Sequence, residues 1–342
     1  MRIAFDASCS LDRPLTGVGV YCRELLRGLA SAHPEARLLF GYRPHRYLRS
    51  FGEALPAGAR RRLLQAPLTP GLGRGLFHGL NQRLPRFPLA RSVATFHDLF
   101  VLTGEYSTPE FRRRFAAQAE DAAARADLII AVSAFTAGQI EEHLKVARSR
   151  IRVVHHGVRR RDLPGAAREE LVLNVGSMQR RKNVARLVAA FERLPEGWSL
   201  VLAGGSGYGA TDILDRIASS PARERIRIAG YVSPAELDRL YARASIFAFP
   251  SLDEGFGMPV LEAMAAGVPV ITSSRSALPE VAADAALTVD PENQEQITEA
   301  LAHLAASETL RSELRARGLA RSKEFSWAKT VRETWNVYRE LG

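Results

Sequence analysis

The sequence predicts an α/β protein built from two doubly wound, parallel-sheet domains in tandem. Three observations lead there. Short apolar, β-branched runs alternate with helical apolar spacing along almost the whole chain, the pattern of parallel strands covered on both faces by helices. The 342 residues exceed one ordinary core and suit two domains of about 150–200 residues each. The alternation pauses at residues 157–170 (GVRRRDLPGAAREE), a charged stretch containing Pro164 and Gly165 and no periodic apolar face. The expected domains are 1–165 and 166–324.

In the first domain, strands are expected at Arg2–Ala7, Arg37–Tyr42, Ser92–Phe96, Leu128–Val132 and Ile151–His155. In the second they fall at Leu171–Val175, Leu200–Ala203, Ile226–Ala229, Ile246–Phe249 and Val268–Thr272. Helical spacing lies between them, at Tyr21–Leu29, Phe111–Ala124, Val184–Leu194, Ala235–Ala244 and Ile297–Leu304. Trp327, Val331, Trp335 and Tyr338 follow at the same spacing, which predicts a terminal helix over 325–342. Open sheets of this kind bind ligands beyond the C-terminal ends of their strands, so a cleft between two facing domains is expected.

Composition narrows the function classes. Apolar residues make up 46% and charged residues 25%, the balance of a globular protein rather than a disordered or fibrous one. No apolar run approaches the ~20 residues that span a bilayer. MRIAFDAS reads as a first strand, not a secretory signal. Cys9 and Cys22 form no metal pattern and suit a reduced, cytoplasmic setting. Residues 1–165 hold 26 Lys+Arg and 14 Asp+Glu, a net of +12; the remainder holds 21 and 23, a net of −2. An anionic small substrate, an anionic membrane or nucleic acid could each meet that basic half. No recognised nucleic-acid reader motif is present, so nucleic acid is not expected as a partner.

The most informative segment is FPSLDEGFGMPVLEAMAAGVPVITS. It reads as strand, loop (Pro250–Gly257), helix (Met258–Ala266) and strand, with Pro259 near the helix start and Gly267 just past its end. Glu254 lies on the loop, and Glu262 is expected in the first helical turn. Gly255 and Gly257 leave backbone amides open at a helix start, a site for anionic or hydroxyl-rich ligands. Two carboxylates there can accept hydrogen bonds from different hydroxyls of one ligand.

A second strand–loop–helix, LVLNVGSMQRRKNVARLVAAF, places Arg181 and Lys182 just before a helix for which Asn183 is the expected N-cap. A guanidinium, an ammonium and backbone amides together suit a diphosphate. AGGSGYG at 203–209 marks a tight, glycine-shaped strand end around Gly204.

In the first domain, TFHDLF brings His97 and Asp98 out at a strand end, where an imidazole can donate to a hydroxyl or a developing charge. His78, His155 and His156 are read as structural. Gly17 and Gly19 offer amides at the start of the helix through Tyr21. Ser133 is the expected N-cap of a helix beginning at Ala134. Phe111–Phe115 (FRRRF) and Arg60–Arg62 are basic clusters, suited either to anionic lipid headgroups or to a solvated helix face.

The EGFGMPVLE run resembles the glutamate–seven residues–glutamate signature of glycosyltransferase family 4, retaining enzymes of the GT-B fold with two Rossmann-like domains. LPEVAADAALTVDP at 278–291 and GVGVYCRELLRGLA near the start are also similar to that family. The resemblance implies a hexosyltransferase that takes a nucleotide-diphosphate sugar, GDP-mannose foremost and a UDP-hexose second. It implies a hydroxyl of a glycan, glycolipid or small molecule as acceptor, and a peripheral contact with the inner face of the membrane. It implies that Arg181 and Lys182 hold the diphosphate, that Glu262 holds the ribose, and that Glu254 and His97 touch the donor sugar. Gly255, Phe256, Gly257, Gly17, Gly19, Gly204 and Val232 would line the donor site, with Asp98 and Ser133 on the acceptor side. Family members often carry an arginine directly after the loop glycine; this chain has Ser177 there. The terminal helix would cross back to the first domain. No cofactor is expected, and with no Asp-x-Asp in the chain no metal is expected either.

Other classes fit less well. A sugar-nucleotide epimerase or hydrolase would consume donor without an acceptor. A dinucleotide oxidoreductase needs Gly-x-Gly-x-x-Gly directly after the first strand, and Leu15–Val20 offers only Gly-x-Gly, well after it.

Overall fold

The computed structural model describes residues 1–65, 71–159 and 167–342. They form two compact units. The first comprises Met1–Thr103, Pro109–Gly157 and Ser326–Gly342; the second comprises Gly104–Thr108 and Val158–Phe325. The expected boundary at 165/166 and residues 160–166 of the linker lie outside the described residues.

The first unit holds seven strands: β1 (Arg2–Asp6), β2 (Arg37–Tyr42), β3 (Arg60–Leu63), β4 (Leu76–Gly79), β5 (Arg91–Phe96), β6 (Leu128–Ala131) and β7 (Ile151–Val153). They pair in parallel in the order β3-β2-β1-β4-β5-β6-β7. The second unit holds β8 (Glu169–Val175), β9 (Ser199–Ala203), β10 (Ile226–Gly230), β11 (Ala244–Phe249), β12 (Val270–Ser273) and β13 (Leu287–Val289). These are also parallel, in the order β10-β9-β8-β11-β12-β13. In each sheet the strand order reverses once, between β1 and β4 and between β8 and β11. In open sheets of this kind, ligands bind outside the C-terminal ends of the strands at such a reversal.

Every strand read from the sequence is present, with ends moved by at most two residues. β12 starts at Val270 because the preceding helix, Met258–Ala265, closes in a Schellman turn: Gly267 (φ 66°) donates to Met264 O at 2.9 Å and Val268 to Ala263 O at 2.9 Å. Three strands escape the sequence reading. β3 is an edge strand with Arg60 and Arg62 exposed, so no apolar alternation marks it and the helix reading of this cluster is corrected. β4 is buried but only four residues long, with His78 inside it. β13 has three residues.

The helix Gly17–Ala32 begins four residues before Tyr21, because the Thr16 hydroxyl caps it by accepting the Gly19 N–H at 3.2 Å. The last helix, Trp327–Arg339, lies against it in the first unit. Val331 and Tyr338 are buried in that unit's core. A methyl group on Gly28 would sit 2.4 Å from Val331 Cγ2, so the close crossing of these two helices depends on that glycine.

Candidate active site

At the strand-order reversal of the second sheet, the loops after β8 and β11 come together. After Val175 the chain turns through Gly176 (φ 154°) into a 3₁₀ turn, Arg180–Lys182, then through left-handed Asn183 (φ 57°) into the helix Val184–Phe191. Asn183 holds the N-cap position but makes no capping bond, which corrects its expected role. Its amide instead donates to Pro250 O at 3.0 Å and Pro291 O at 2.7 Å, tying this loop to those after β11 and β13. Leu252 N–H adds a bond to Arg181 O at 2.8 Å.

This lacing sets Arg181 and Lys182 on either side of Glu254. Arg181 Nη1 lies 2.8 Å from Glu254 Oε2 and also donates to Asp253 O; Lys182 Nζ lies 2.5 Å from Glu254 Oε1 and 4.8 Å above the Phe249 ring. All three residues are buried, at 7–9% exposure. Burial raises the Glu254 carboxyl, but the two cations outweigh it and hold it down at about 2. Glu254 is therefore an anion at neutral pH and cannot act as a general acid. Two cations thus flank the Glu254 carboxylate, and the neighbouring Asp253 is buried on the same loop.

Glu262 is the fifth residue of its helix, not in the first turn, and its Oε2 accepts from the buried Tyr241 hydroxyl at 3.1 Å. Arg168 fixes the far end of that helix. Its guanidinium donates to Ala266 O and Gly267 O at 2.8 Å, and to Tyr241 O and Ala244 O at 3.1 and 2.5 Å. Cationic donors on last-turn carbonyls also suit the helix dipole. Arg168 sits in the charged stretch that the sequence presents as linker, and Tyr241 reads from sequence only as a helix core position. Neither carries a signal of its link to Glu262.

The glycines act mainly by letting backbone approach. A Cβ on Gly204 (φ 154°) would lie 2.0 Å from Gly176 O, and Gly204 N–H is already taken by Gly230 O at 2.7 Å. Gly257 (φ 102°) starts its helix in the left-handed region, with Leu278 Cδ2 2.5 Å from where a Cβ would stand. Gly255 is buried between Glu254 and Phe256. The Phe256 ring is buried edge-on to Phe325 at 6.0 Å, so this side chain anchors the loop. Val232 is half-buried in the loop after β10. Arg180 pairs outward with Asp212 at 2.8 Å, away from the Glu254 cluster.

The first unit's predicted residues are more deeply engaged than the sequence implies. His97 is buried; Nε2 donates to Leu80 O at 2.8 Å and Nδ1 lies 3.4 Å from His156 Nε2, with Tyr21 edge-on at 4.8 Å. Burial pulls its imidazole down to about 4, so it is neutral. With both ring nitrogens occupied, His97 is a scaffold group of the core in this state, not an outward donor. His78 bridges Tyr338 Oη (2.6 Å) and Thr95 Oγ1 (2.7 Å), which also meets Tyr21 Oη at 2.9 Å. Ser133 is the N-cap expected, accepting from Thr136 N–H at 2.9 Å, and is fully buried. The Gly19 amide is spent on Thr16; Gly17 is the first helical residue and is exposed. Asp98 is half-buried just after β5. Of the basic clusters, residues 111–115 lie on the helix Pro109–Arg125, where Phe111 and Phe115 stand 6.1 Å apart.

Comparison with known proteins agrees with this architecture. The model of Glycosyltransferase Family 4 matches residues 15–161, and that of Glycosyl transferases group 1 matches residues 159–321. O-antigen chain mannosyltransferase B of Escherichia coli is 33% identical over a 391-position alignment spanning 100% of both chains. Sucrose-phosphate synthase from Thermosynechococcus elongatus shares the fold with a TM-score of 0.79 at 22% identity, over 100% of this chain and 99% of its own. HepE from Anabaena, solved with UDP-glucose, does so with a TM-score of 0.77 at 17% identity, over 99% and 100%. Among the described residues no helix is long and apolar enough to cross a membrane. The chain is a member of glycosyltransferase family 4, a glycosyltransferase with the two Rossmann-like domains of the GT-B fold.

Proposed function

We propose that this glycosyltransferase moves mannose from GDP-mannose, with retention of configuration, to a hydroxyl of a glycan or glycolipid at the cytoplasmic face of a membrane. The observation that carries the reading is the buried Arg181–Glu254–Lys182 cluster at the strand-order reversal of the second sheet, which sets a guanidinium and an ammonium side by side. Mannose as the sugar is supported by the mannosyltransferase relative; the UDP-glucose complex of HepE keeps a UDP-hexose as the second reading.

In this reading Arg181 and Lys182 take the diphosphate and stabilise the charge that develops as it leaves. Glu262 accepts from the ribose hydroxyls. Glu254, ionised and held by two cations, accepts hydrogen bonds from sugar hydroxyls; the same pairing makes it a poor nucleophile. The departing phosphate oxygen then takes the acceptor proton on the face it leaves, and no side-chain base is required. Backbone around Gly255, Gly257, Gly204 and Gly17 lines the donor, Val232 borders the base, and Asp98 belongs to the acceptor side. Turnover is expected to persist in chelator, because no Asp-x-Asp supplies a metal bridge to the diphosphate.

The test is a panel of GDP-, UDP- and ADP-sugars scored by thermal stabilisation, since a ligand of the native state raises its melting point. GDP-mannose should give the largest shift, and Glu262→Ala and Lys182→Ala should abolish it. A shift retained in both variants would place the donor elsewhere.

A further inference from the structure

We propose that the turn Leu48–Gly52, beside edge strand β3 of the first unit, is the surface that docks on anionic lipid headgroups. The proposal deepens the membrane-side acceptor reading above and rests on it. Leu48 is 82% exposed and Phe51 59%, the two most exposed large apolar side chains among the described residues. They sit three apart in a 3₁₀ turn, a spacing that eclipses side chains and sends both to one side.

The turn is held rigidly rather than hanging loose. Ser50 between them is fully buried and its hydroxyl donates to Tyr47 O at 2.6 Å. Arg61 on β3 donates from Nε to Ser50 O at 3.0 Å and from Nη2 to Glu53 O, while its guanidinium covers the Phe51 ring at 5.0 Å. Tyr47 braces the same ring edge-on at 5.4 Å. These bonds fix the backbone that carries the apolar pair, and Tyr47 and Arg61 hold the Phe51 ring in place, so the exposure is a built feature.

The surrounding charge selects the partner. Residues 43–65 contain six arginines and one acid, Glu53, which Arg13 already pairs at 2.8 Å. Arg43 and Arg46 are matched by Asp6 and Asp12. Exposed Arg49 and Arg60 have no carboxylate partner among the described residues. A second copy of this chain would face the same excess of arginine, and charged edge strands oppose self-pairing. Nucleic acid would meet the arginines and leave Leu48 in water. An anionic bilayer satisfies both, with the apolar pair below the headgroups and the guanidinium groups among them.

The experiment is co-sedimentation of the full chain with phosphatidylglycerol-containing vesicles and with pure phosphatidylcholine vesicles. Binding is expected to the anionic vesicles only and to weaken with salt. Leu48→Ser/Phe51→Ser, and separately Arg49→Glu, should each weaken it by about tenfold or more, with the melting point and the nucleotide-sugar thermal shift unchanged. Failure of the parent to bind vesicles, vesicle binding unchanged in the variants, tighter binding to duplex DNA, or a dimer in solution lost with Leu48→Ser/Phe51→Ser would each overturn the proposal. Donor binding is read separately: a missing nucleotide-sugar shift with intact vesicle binding would overturn the proposed function and leave the docking surface standing.

Discussion

Acid should unfold the first unit well before the second. His78, His97 and His156 are buried in the first unit among Tyr21, Thr95, Trp327 and Tyr338. Burial pulls His78 down to about 3 and His97 to about 4, and pulls His156 well below its ordinary value. In the unfolded chain each takes up a proton near pH 6.5, so the unfolded state binds more protons and stability falls as pH drops below that value, until the folded values are reached. Between pH 7 and pH 5 the loss is about 2 kcal/mol for each of His78 and His97, or about 4 kcal/mol together; His156 adds in the same sense. That is a large part of the 5–15 kcal/mol (roughly) that holds a domain folded. Glu254 acts in a different window: lowered from 4.5 to about 2, it contributes stability to the second unit above pH 4.5 that is lost only as pH falls towards 2. Tryptophans report each unit separately. Trp198→Phe leaves Trp327 and Trp335, both in the first unit, and Trp327→Phe/Trp335→Phe leaves Trp198 in the second. Urea titrations followed by fluorescence should show the first unit's midpoint falling steeply from pH 7 to pH 5 while the second unit's holds. A first-unit midpoint unchanged over that range would refute the claim that these imidazoles are buried and neutral.

Three substitutions probe the packing of the sites. Glu254→Gln leaves two buried cations facing a neutral amide; it should cost the second unit about 3–5 kcal/mol in urea unfolding and abolish transfer, and a variant as stable as its parent would contradict the cluster. Gly204→Ala forces a methyl group onto Gly176 O and should destabilise the second unit by about 1–3 kcal/mol, seen as a lower melting point. Tyr338→Phe removes the hydroxyl partner of His78 Nδ1 and should cost the first unit about 1–3 kcal/mol, with kcat/KM for donor unchanged.

The two-sheet architecture was legible because buried parallel strands are short, apolar and separated by helical spacing; β5, β8 and β11 announce themselves in this way. β3 did not, because an edge strand of arginines has no apolar face, and β4 did not, because its buried imidazole is polar by composition. Arg181, Lys182, Glu254 and Glu262 could be singled out from loop chemistry and family resemblance. Their pairing could not: that Glu254 sits between both cations follows from the loops after β8 and β11 leaving adjacent strands. His97 shows the opposite case. A histidine after a strand end reads as an outward donor, yet Leu80 O, His156 and Tyr21 close around it, and those contacts come from distant parts of the chain. Arg168 was hidden for the same reason, since a carbonyl clamp looks like a solvated charge until the two helix ends it joins are known.

The proposed function requires that the Arg181–Glu254–Lys182 cluster and Glu262 together grip the activated sugar. The most direct test is a crystal structure of the protein soaked with GDP-mannose. It should show diphosphate oxygens within hydrogen-bond reach of the Arg181 and Lys182 side chains and ribose hydroxyls on Glu262. A nucleotide bound elsewhere, with both cations still engaged only with Glu254, would contradict it.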